Sequence, residues 1–385
     1  DSIMERYFKI NGSNRSEIFY QSNVFGNEFD FFNHNFLKKK KNFNIMSLPN
    51  QKKFLKQGID ESMENFRERF IKYIEEQTGD YKFYKIGVVS IPLEIDKLFK
   101  AFNKRGYIDD LTYKVQINHV LNEALHNKVN HLIFPELSIP PTWVNDIILY
   151  GLRHKIQITF GLQYLYDRSN RIYNTIMSIY PFTINGVYNL AYISLREKRY
   201  YPYSEKAFFE NKGFLYKENN HLKQEIVCYR GGRFTNFLCY ELTSISDRAI
   251  LRNEVNVLLV PVLNKDTNYF SSIVDSTARE LFCYVSMANT SVYGDSRITG
   301  PFGTNEKDIV RLKGGNNVYC VVGEIDLNEL ELKRKTTDKE HLNKAKANLE
   351  KHFGEKYKRK YKPLSAGINY DKEDKFDDVE GQNLL

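Results

Sequence analysis

Three side chains of complementary chemistry stand at the ends of short apolar runs in this sequence: Glu136, Lys198 and Cys239. A thiol attacks as its thiolate, and a nearby carboxylate can take the thiol proton. A neighbouring ammonium lowers the pKa of a thiol, and it can also stabilise the oxyanion that forms when sulfur adds to a carbonyl or nitrile carbon. Together these residue types predict covalent acyl-enzyme chemistry.

Each of the three residues also has an ordinary structural interpretation when it is taken alone. A lone cysteine such as Cys239 is most often a buried core residue. Glu136 could cap the helix near Thr142, and Lys198 could be a solvated loop cation. The chemical interpretation therefore depends on whether the elements around these residues bring them together.

The elements that must position them follow the strand–helix–strand order of an α/β protein. Pro135 cannot continue a central strand, so Glu136 should lie at the carboxyl edge of a sheet, where ligands of α/β proteins bind. We predict strands at 86–91, 131–134, 156–162, 173–180, 187–195, 255–262, 283–288 and 318–325, and a hairpin over 225–238. We predict helices at 111–127, 143–153 and 270–281, another after Ser246, and a Gly/Pro loop at 294–303.

Composition excludes several classes of protein. The sequence has no run of about 18 apolar residues, so we expect no membrane span. Its four cysteines form no Cys-x-x-Cys pair and have no nearby histidine cluster, which disfavours a zinc site. Scattered cysteines without a visible secretory signal suggest a reducing, cytoplasmic location. The net charge of +8 is modest for 385 residues.

Changes in composition divide the sequence into three parts. Residues 1–80 are polar and irregular, with a basic run at 38–41 and a predicted helix near 61–76, and we interpret them as an extension or linker. Residues 81–330 carry the α/β pattern. Residues 331–385 form a charged tail, for which we predict a surface helix and a partly disordered end.

The order of motifs in the central part resembles the carbon–nitrogen hydrolase (nitrilase/amidase) superfamily, over roughly Tyr84 to Leu330. Each motif is weak alone, and the ordered set carries the resemblance. The matching stretches are Phe134-Pro135-Glu136, Tyr173-Asn174-Thr175, Lys198 with Pro202 and Glu205, Cys239-Tyr240-Glu241, Ser296 to Pro301, and Glu324 to Leu327.

This resemblance implies both a fold and a set of residue roles. The fold would be a four-layer αββα sandwich, in a homodimer or higher oligomer, with no metal or organic cofactor. Glu136 would be the general base, Lys198 would stabilise the tetrahedral intermediate, and Cys239 would be the nucleophile. Glu205 would orient the lysine and the substrate amine, and the backbone N–H of Tyr240 would complete the oxyanion site.

The sequence also departs from the family pattern. Lys198 lies between Glu197 and Arg199, where many relatives have other residues. The stretch after Cys239, Glu241 to Ser244, lacks signatures of true nitrilases or aliphatic amidases. The substrate therefore stays open between small amides and nitriles, and acyl transfer would use the same residues.

A second hypothesis comes from a different functional class. The domain could be a partner-binding or regulatory module of a larger assembly, since nitrilase-like domains linked to reverse transcriptases in bacterial antiviral defence look similar. A third hypothesis is nucleic-acid binding through the basic tail, whose lysines alternate with Tyr357 and Tyr361, although a solvated helix is the simpler interpretation. A complete set of Glu, Lys and Cys at three strand ends favours the enzyme.

Overall fold

The computed structural model describes residues 18–22, 71–75, 82–167, 169–184, 188–218 and 224–336. The chain divides into two compact units, the first with residues 1–43 and 68–332, the second with residues 44–67 and 333–385. Of the second unit, only the helical residues 333–336 are described. The basic run at 38–41, most of the helix predicted at 61–76, and the charged tail beyond 336 lie outside the described residues.

The first unit is built on two mixed β-sheets of seven strands each. The first sheet has the order β1-β9-β8-β5-β4-β3-β16. Its strands are β1 (Ile18–Ser22), β3 (Phe83–Ser90), β4 (His131–Ile133), β5 (Gln157–Gly161), β8 (Thr175–Ile184), β9 (Tyr188–Glu197) and β16 (Tyr319–Asp326). In this sheet β3, β4 and β5 run parallel, and β9 points the same way because two antiparallel pairings, β5–β8 and β8–β9, separate it from β5.

The second sheet has the order β15-β14-β13-β12-β11-β10-β2. Its strands are β2 (Ile71–Glu75), β10 (Gln224–Tyr229), β11 (Gly232–Asn236), β12 (Val257–Pro261), β13 (Tyr284–Ala288), β14 (Arg297–Thr299) and β15 (Asp308–Arg311). The central strands β11, β12 and β13 are parallel. A separate two-stranded hairpin is formed by β6 (Leu165–Tyr166) and β7 (Ile172–Tyr173).

Helices cover the outer faces of both sheets. They are α1 (Ile95–Asn103), α2 (Leu111–His126), α3 (Val144–His154), α4 (Tyr203–Asn211), α5 (Ile245–Ala249) and α6 (Thr267–Leu281), followed by helical residues 327–336. Short 3₁₀ helices occupy Pro141–Trp143 and Cys239–Thr243. None of the helices in the described part of the chain has the length and apolar character needed to cross a bilayer.

Side-chain alternation along the strands separates three apolar layers. Successive side chains of a strand point to opposite faces. On β12, Val257 and Leu259 therefore pack between the sheets, whereas Leu258 and Val260 pack in the cluster that includes residues of α6. On the first sheet, Ile133 likewise packs between the sheets while its neighbour Leu132 faces the layer of α1, α2 and α3. The four-layer αββα sandwich implied by the family resemblance is confirmed.

Three local predictions from the sequence are wrong. Residues 71–75, at the end of the predicted 61–76 helix, form β2, because pairing along β10 overrides the helical spacing of their aromatic residues. The predicted Gly/Pro loop at 294–303 contains β14, which is held between β13 and β15. The Tyr- and Pro-rich segment predicted as a loop through Glu205 becomes α4, because Pro202 provides a suitable start for a helix at Tyr203.

Candidate active site

The residues singled out from the sequence meet where the carboxyl ends of strands from both sheets converge. Glu136 follows β4 and Lys198 follows β9, and these two strands end at the same edge of the first sheet. Cys239 follows β11 of the second sheet. The two edges are tied by a backbone hydrogen bond of 3.3 Å from the Glu136 N–H to the carbonyl of Val262, just beyond β12.

Lys198 lies at the centre of a closed ring of hydrogen bonds. Its Nζ donates to Glu136 Oε1 at 2.9 Å and to Glu205 Oε2 at 2.6 Å. Asn174 Nδ2 closes the ring by donating to Glu136 Oε1 and to Glu205 Oε1, both at 2.9 Å. The Lys198 side chain is only 2% exposed, so the ammonium and both carboxylates are held out of water. Two anions around one buried cation keep the ring ordered without solvent.

Further groups fix the two arms of the ring. Glu205 lies in the first turn of α4, and its Oε1 also accepts a hydrogen bond of 2.8 Å from the Tyr164 hydroxyl. The Lys198 backbone N–H donates to the Asn174 carbonyl at 2.7 Å. The Lys198 ammonium also lies 5.6 Å from the centre of the Tyr201 ring. The ring is therefore built from the β4, β8, β9 and α4 segments together.

Cys239 stands on a strained turn beside this ring. Its φ of 49° lies in the left-handed region, which costs a residue with a side chain on the order of 1–3 kcal/mol. The turn opens the 3₁₀ helix Cys239–Thr243, and the residue is 6% exposed. Its thiol interacts with the carboxylate of Glu136, with the ammonium of Lys198 and with the backbone of Leu263.

The electrostatics of the site favour a neutral thiol at rest. Burial raises the pKa of the Cys239 thiol well above its usual range, and the negative charge of Glu136 raises it further, against the opposing effect of Lys198. Burial also raises the pKa of Glu136, although the adjacent ammonium opposes that shift. For Lys198, burial lowers the pKa, but Glu136 and Glu205 outweigh burial and the net pKa is raised. Lys198 is therefore a permanent cation at neutral pH.

A second buried ionic network holds the cysteine turn. Glu241 accepts a hydrogen bond from the Leu238 N–H at 2.7 Å, immediately before the cysteine. The same carboxylate binds both terminal nitrogens of Arg196 at 2.7 and 2.6 Å and the Arg199 N–H at 2.6 Å. Burial opposes ionisation of Glu241, but Arg196 and Arg199 outweigh it and lower its pKa to about 2. Glu241 thus joins the cysteine turn to the segment that carries Lys198.

The structure brings together Glu136, Lys198 and Glu205, with Cys239 beside them. Tyr240 directly follows the cysteine, among the first residues of a helix, where backbone N–H groups have no partner within the helix. That position suits the oxyanion role that the family resemblance implies for its N–H. In the part of the chain that the structure describes, no group of three or more His, Cys, Asp or Glu residues has a metal-binding arrangement.

Sequence reasoning missed two contributors to the site, Asn174 and Glu241. Asn174 falls within one of the quoted motifs, and its place at the start of a strand was the available signal. The role of Glu241 depends on pairing with Arg196, 45 residues away, which sequence spacing does not reveal.

No family model and no curated protein sequence matches this chain. Several solved structures are similar to it at low sequence identity. XC1258 from Xanthomonas campestris, described as a CN-hydrolase superfamily protein with an arsenic adduct in its active site, is 16% identical with a TM-score of 0.48, over 66% of this chain and 95% of that one. The C. elegans NitFhit protein is 16% identical with a TM-score of 0.46, over 67% of this chain and 64% of that one.

An amidase from Nesterenkonia sp. AN1 is also similar, at 14% identity and a TM-score of 0.43, over 67% of this chain and 97% of that one. In that protein the acetamide moiety of fluoroacetamide adds covalently to the active-site cysteine. These likenesses concern the fold alone, and the roles of residues in this chain are argued from its own geometry.

Proposed function

We propose that this protein is a thiol hydrolase of carbon–nitrogen bonds other than peptide bonds, acting on small amides through Cys239, Glu136 and Lys198. The observation that carries the proposal is the contact of a buried thiol with Glu136, while the Glu136 carboxylate is held at 2.9 Å by the Lys198 ammonium. Nucleophile, base and fixed cation are then within reach of one carbonyl group.

The first half of the reaction forms a thioester. As the Cys239 sulfur attacks the carbonyl carbon, its proton passes to Glu136 and the carbonyl oxygen becomes an oxyanion. The Lys198 ammonium and the Tyr240 N–H stabilise that oxyanion. The oxyanion then collapses, the C–N bond breaks, and Glu136 returns the proton to the departing nitrogen, which leaves as ammonia or an amine.

The second half hydrolyses the thioester. Water attacks the acyl carbon while Glu136 takes a proton from the water. The C–S bond then breaks, and the cysteine sulfur recovers the proton from Glu136. A carboxylic acid leaves, and the site returns to its neutral thiol. Lys198 stays charged throughout, because its raised pKa makes it a poor proton donor at neutral pH.

The cost of burying these charges argues against a domain that serves only to bind a partner. Removing ions from water costs several kcal/mol for each ion, and it is offset only by good pairing. Two glutamates, a lysine and a strained cysteine turn are an expensive arrangement for a scaffold. Such arrangements concentrate at catalytic sites, where ionisation must be controlled.

A panel of small amides and nitriles tests the proposal. Wild-type protein should release ammonia or amine from at least one amide. Acid quenching should trap an acyl group on the Cys239 peptide, and hydroxylamine should remove it. The Cys239→Ala protein should lose both the turnover and the adduct. Turnover that survives unchanged in Cys239→Ala would contradict the proposal.

A further inference from the structure

The amide of Asn174 bridges the two glutamates of the candidate site. A single Nδ2 group donates one hydrogen bond to Glu136 and one to Glu205, each 2.9 Å long. The orientation of this amide is fixed by its surroundings, because turning it over would place its oxygen against two carboxylates. Asn174 is fully buried, so this bridge is not shared with solvent.

The other end of the same amide lacks a partner. Asn174 Oδ1 is buried and accepts no hydrogen bond from the part of the chain that the structure describes. An unpaired buried acceptor costs on the order of 1–3 kcal/mol. A residue present only for stability would not carry that cost. The arrangement serves the Nδ2 end, which contacts both carboxylates.

Hydrogen bonding around Glu136 also distinguishes its two oxygens. Oε1 accepts from both Lys198 Nζ and Asn174 Nδ2, at 2.9 Å each, which occupies both of its lone pairs. Oε2 is then the oxygen available to the Cys239 thiol. We propose that Asn174 is a positioning residue that keeps Glu136 ionised and directs its Oε2 toward Cys239. This inference rests on the proposed function.

The charges around Glu136 show why such a donor matters. The groups that act on it are Lys198, Glu205 and Cys239. Burial and the negative charge of Glu205 both favour the protonated form of Glu136, and Lys198 alone among these charges opposes them. A hydrogen bond donated to a carboxylate favours its ionised form. The Asn174 amide therefore helps Lys198 to keep the base able to accept a proton.

Alkylation of Cys239 by iodoacetamide across a range of pH tests this role without a known substrate. In the wild type, the rate should fall on the acid side as Glu136 becomes protonated, and Glu136→Gln should abolish that limb. Asn174→Asp keeps the shape of the side chain but brings a third carboxyl group. Asn174→Ala simply removes the donor. Both should move the midpoint of the acid limb upward, by about one pH unit.

Asn256 supplies a matched control. It is also buried, and its Nδ2 donates to a glutamate, Glu331 Oε1, at 2.8 Å, but it lies at the opposite end of β12 from the site. Asn256→Asp and Asn256→Ala should lower thermal stability and leave the midpoint for Cys239 unchanged.

The possible outcomes separate this inference from the function on which it rests. A wild-type profile with no Glu136-dependent limb would overturn the proposed function itself. A wild-type limb whose midpoint stays in place in the folded Asn174 variants would overturn only the role of Asn174. Failure of both Asn174 variants to fold, with Asn256→Ala folded, would assign Asn174 to stability and would also overturn its positioning role.

Discussion

Glu136 Oε1 and Lys198 Nζ are 2.9 Å apart, although 62 residues of sequence separate them and β5 and β8 lie between their strands in the sheet. The contact forms because β4 and β9 point the same way and both end at one edge. Asn174, at the start of the intervening β8, fills the space between them. The topology of the sheet, rather than proximity in sequence, assembles the ion pair.

Removal of the central cation should destabilise the fold strongly. Lys198→Met leaves the carboxylates of Glu136 and Glu205 buried without their partner, which should cost about 3–5 kcal/mol in the free energy of unfolding. Adding Glu205→Gln to this variant should recover part of the loss. Urea denaturation measures both effects.

The matched control is Lys206→Met. Its partner is Glu218, 2.7 Å away, and both side chains are about 30% exposed. The loss of such a pair should cost less than about 1 kcal/mol. Equal losses from the two lysine variants would contradict the account of the buried ring.

The Glu241 carboxylate should protect the protein against acid. Its pKa is about 2 in the folded protein and 4.5 ordinarily, so its ionisation stabilises the fold above about pH 4.5, and this contribution is lost as the pH falls through about 2. The shift corresponds to about 3 kcal/mol. Glu241→Gln should unfold at higher pH than the wild type during acid titration followed by circular dichroism.

The same substitution should impair the site, because Glu241 holds the N–H of Leu238 next to the nucleophile. We expect hydrolysis or Cys239 labelling to fall at least about tenfold, since small misplacements of reacting groups are costly. Full reactivity in a Glu241→Gln protein with lowered acid stability would show that the network supports the fold and not the site.

Gly161, at the end of β5, should be intolerant of any side chain. A Cβ there would lie 2.7 Å from the Glu136 Cα and 2.6 Å from the Leu137 backbone nitrogen. Both contacts are with backbone, so Gly161→Ala must push the general base out of place. Hydrolysis or Cys239 labelling should fall while the protein stays folded. Gly303→Ala is the control, because a Cβ there would meet no atom within 4 Å.

Glu197 should make the protein less stable in mild alkali. Burial raises its pKa to about 7, with Arg171 Nη2 4.0 Å away as a weak counterion. Its stabilising contribution is complete below about pH 4.5 and is lost as the pH rises through about 7. Glu197→Gln should therefore be more stable than the wild type at pH 8, by at most about 3 kcal/mol, and similar to it at pH 4. Thermal unfolding at both pH values, with exposed Glu324→Gln as the control, decides the matter.

Much of the site's outline could be predicted from the sequence. Apolar runs that end in Glu136, Lys198 and Cys239 are local signals, and parallel strands place such ends at one edge of a sheet. The structure extends that outline with burial. It shows that Lys198 is enclosed between two carboxylates, which no composition or spacing of a charged residue reveals.

The remaining parts of the site depend on pairing across the fold. The bridge from Asn174 to Glu136 and the contact of Arg196 with Glu241 join residues 38 and 45 positions apart. The short strand β14 was hidden in a Gly/Pro-rich segment, since its neighbours β13 and β15 determine its conformation. Such features are properties of the assembled sheets and not of local sequence.

The rate of Cys239 alkylation by iodoacetamide at neutral pH, in wild type and Glu136→Gln, tests the central claim most directly. Peptide mapping gives the rate at Cys239, and the more exposed Cys228 serves as an internal reference. If Glu136 removes the thiol proton, labelling of Cys239 should be at least about tenfold slower in Glu136→Gln, with Cys228 unchanged. Equal rates at Cys239 in the two folded proteins would contradict the pairing of base and nucleophile on which the proposed function depends.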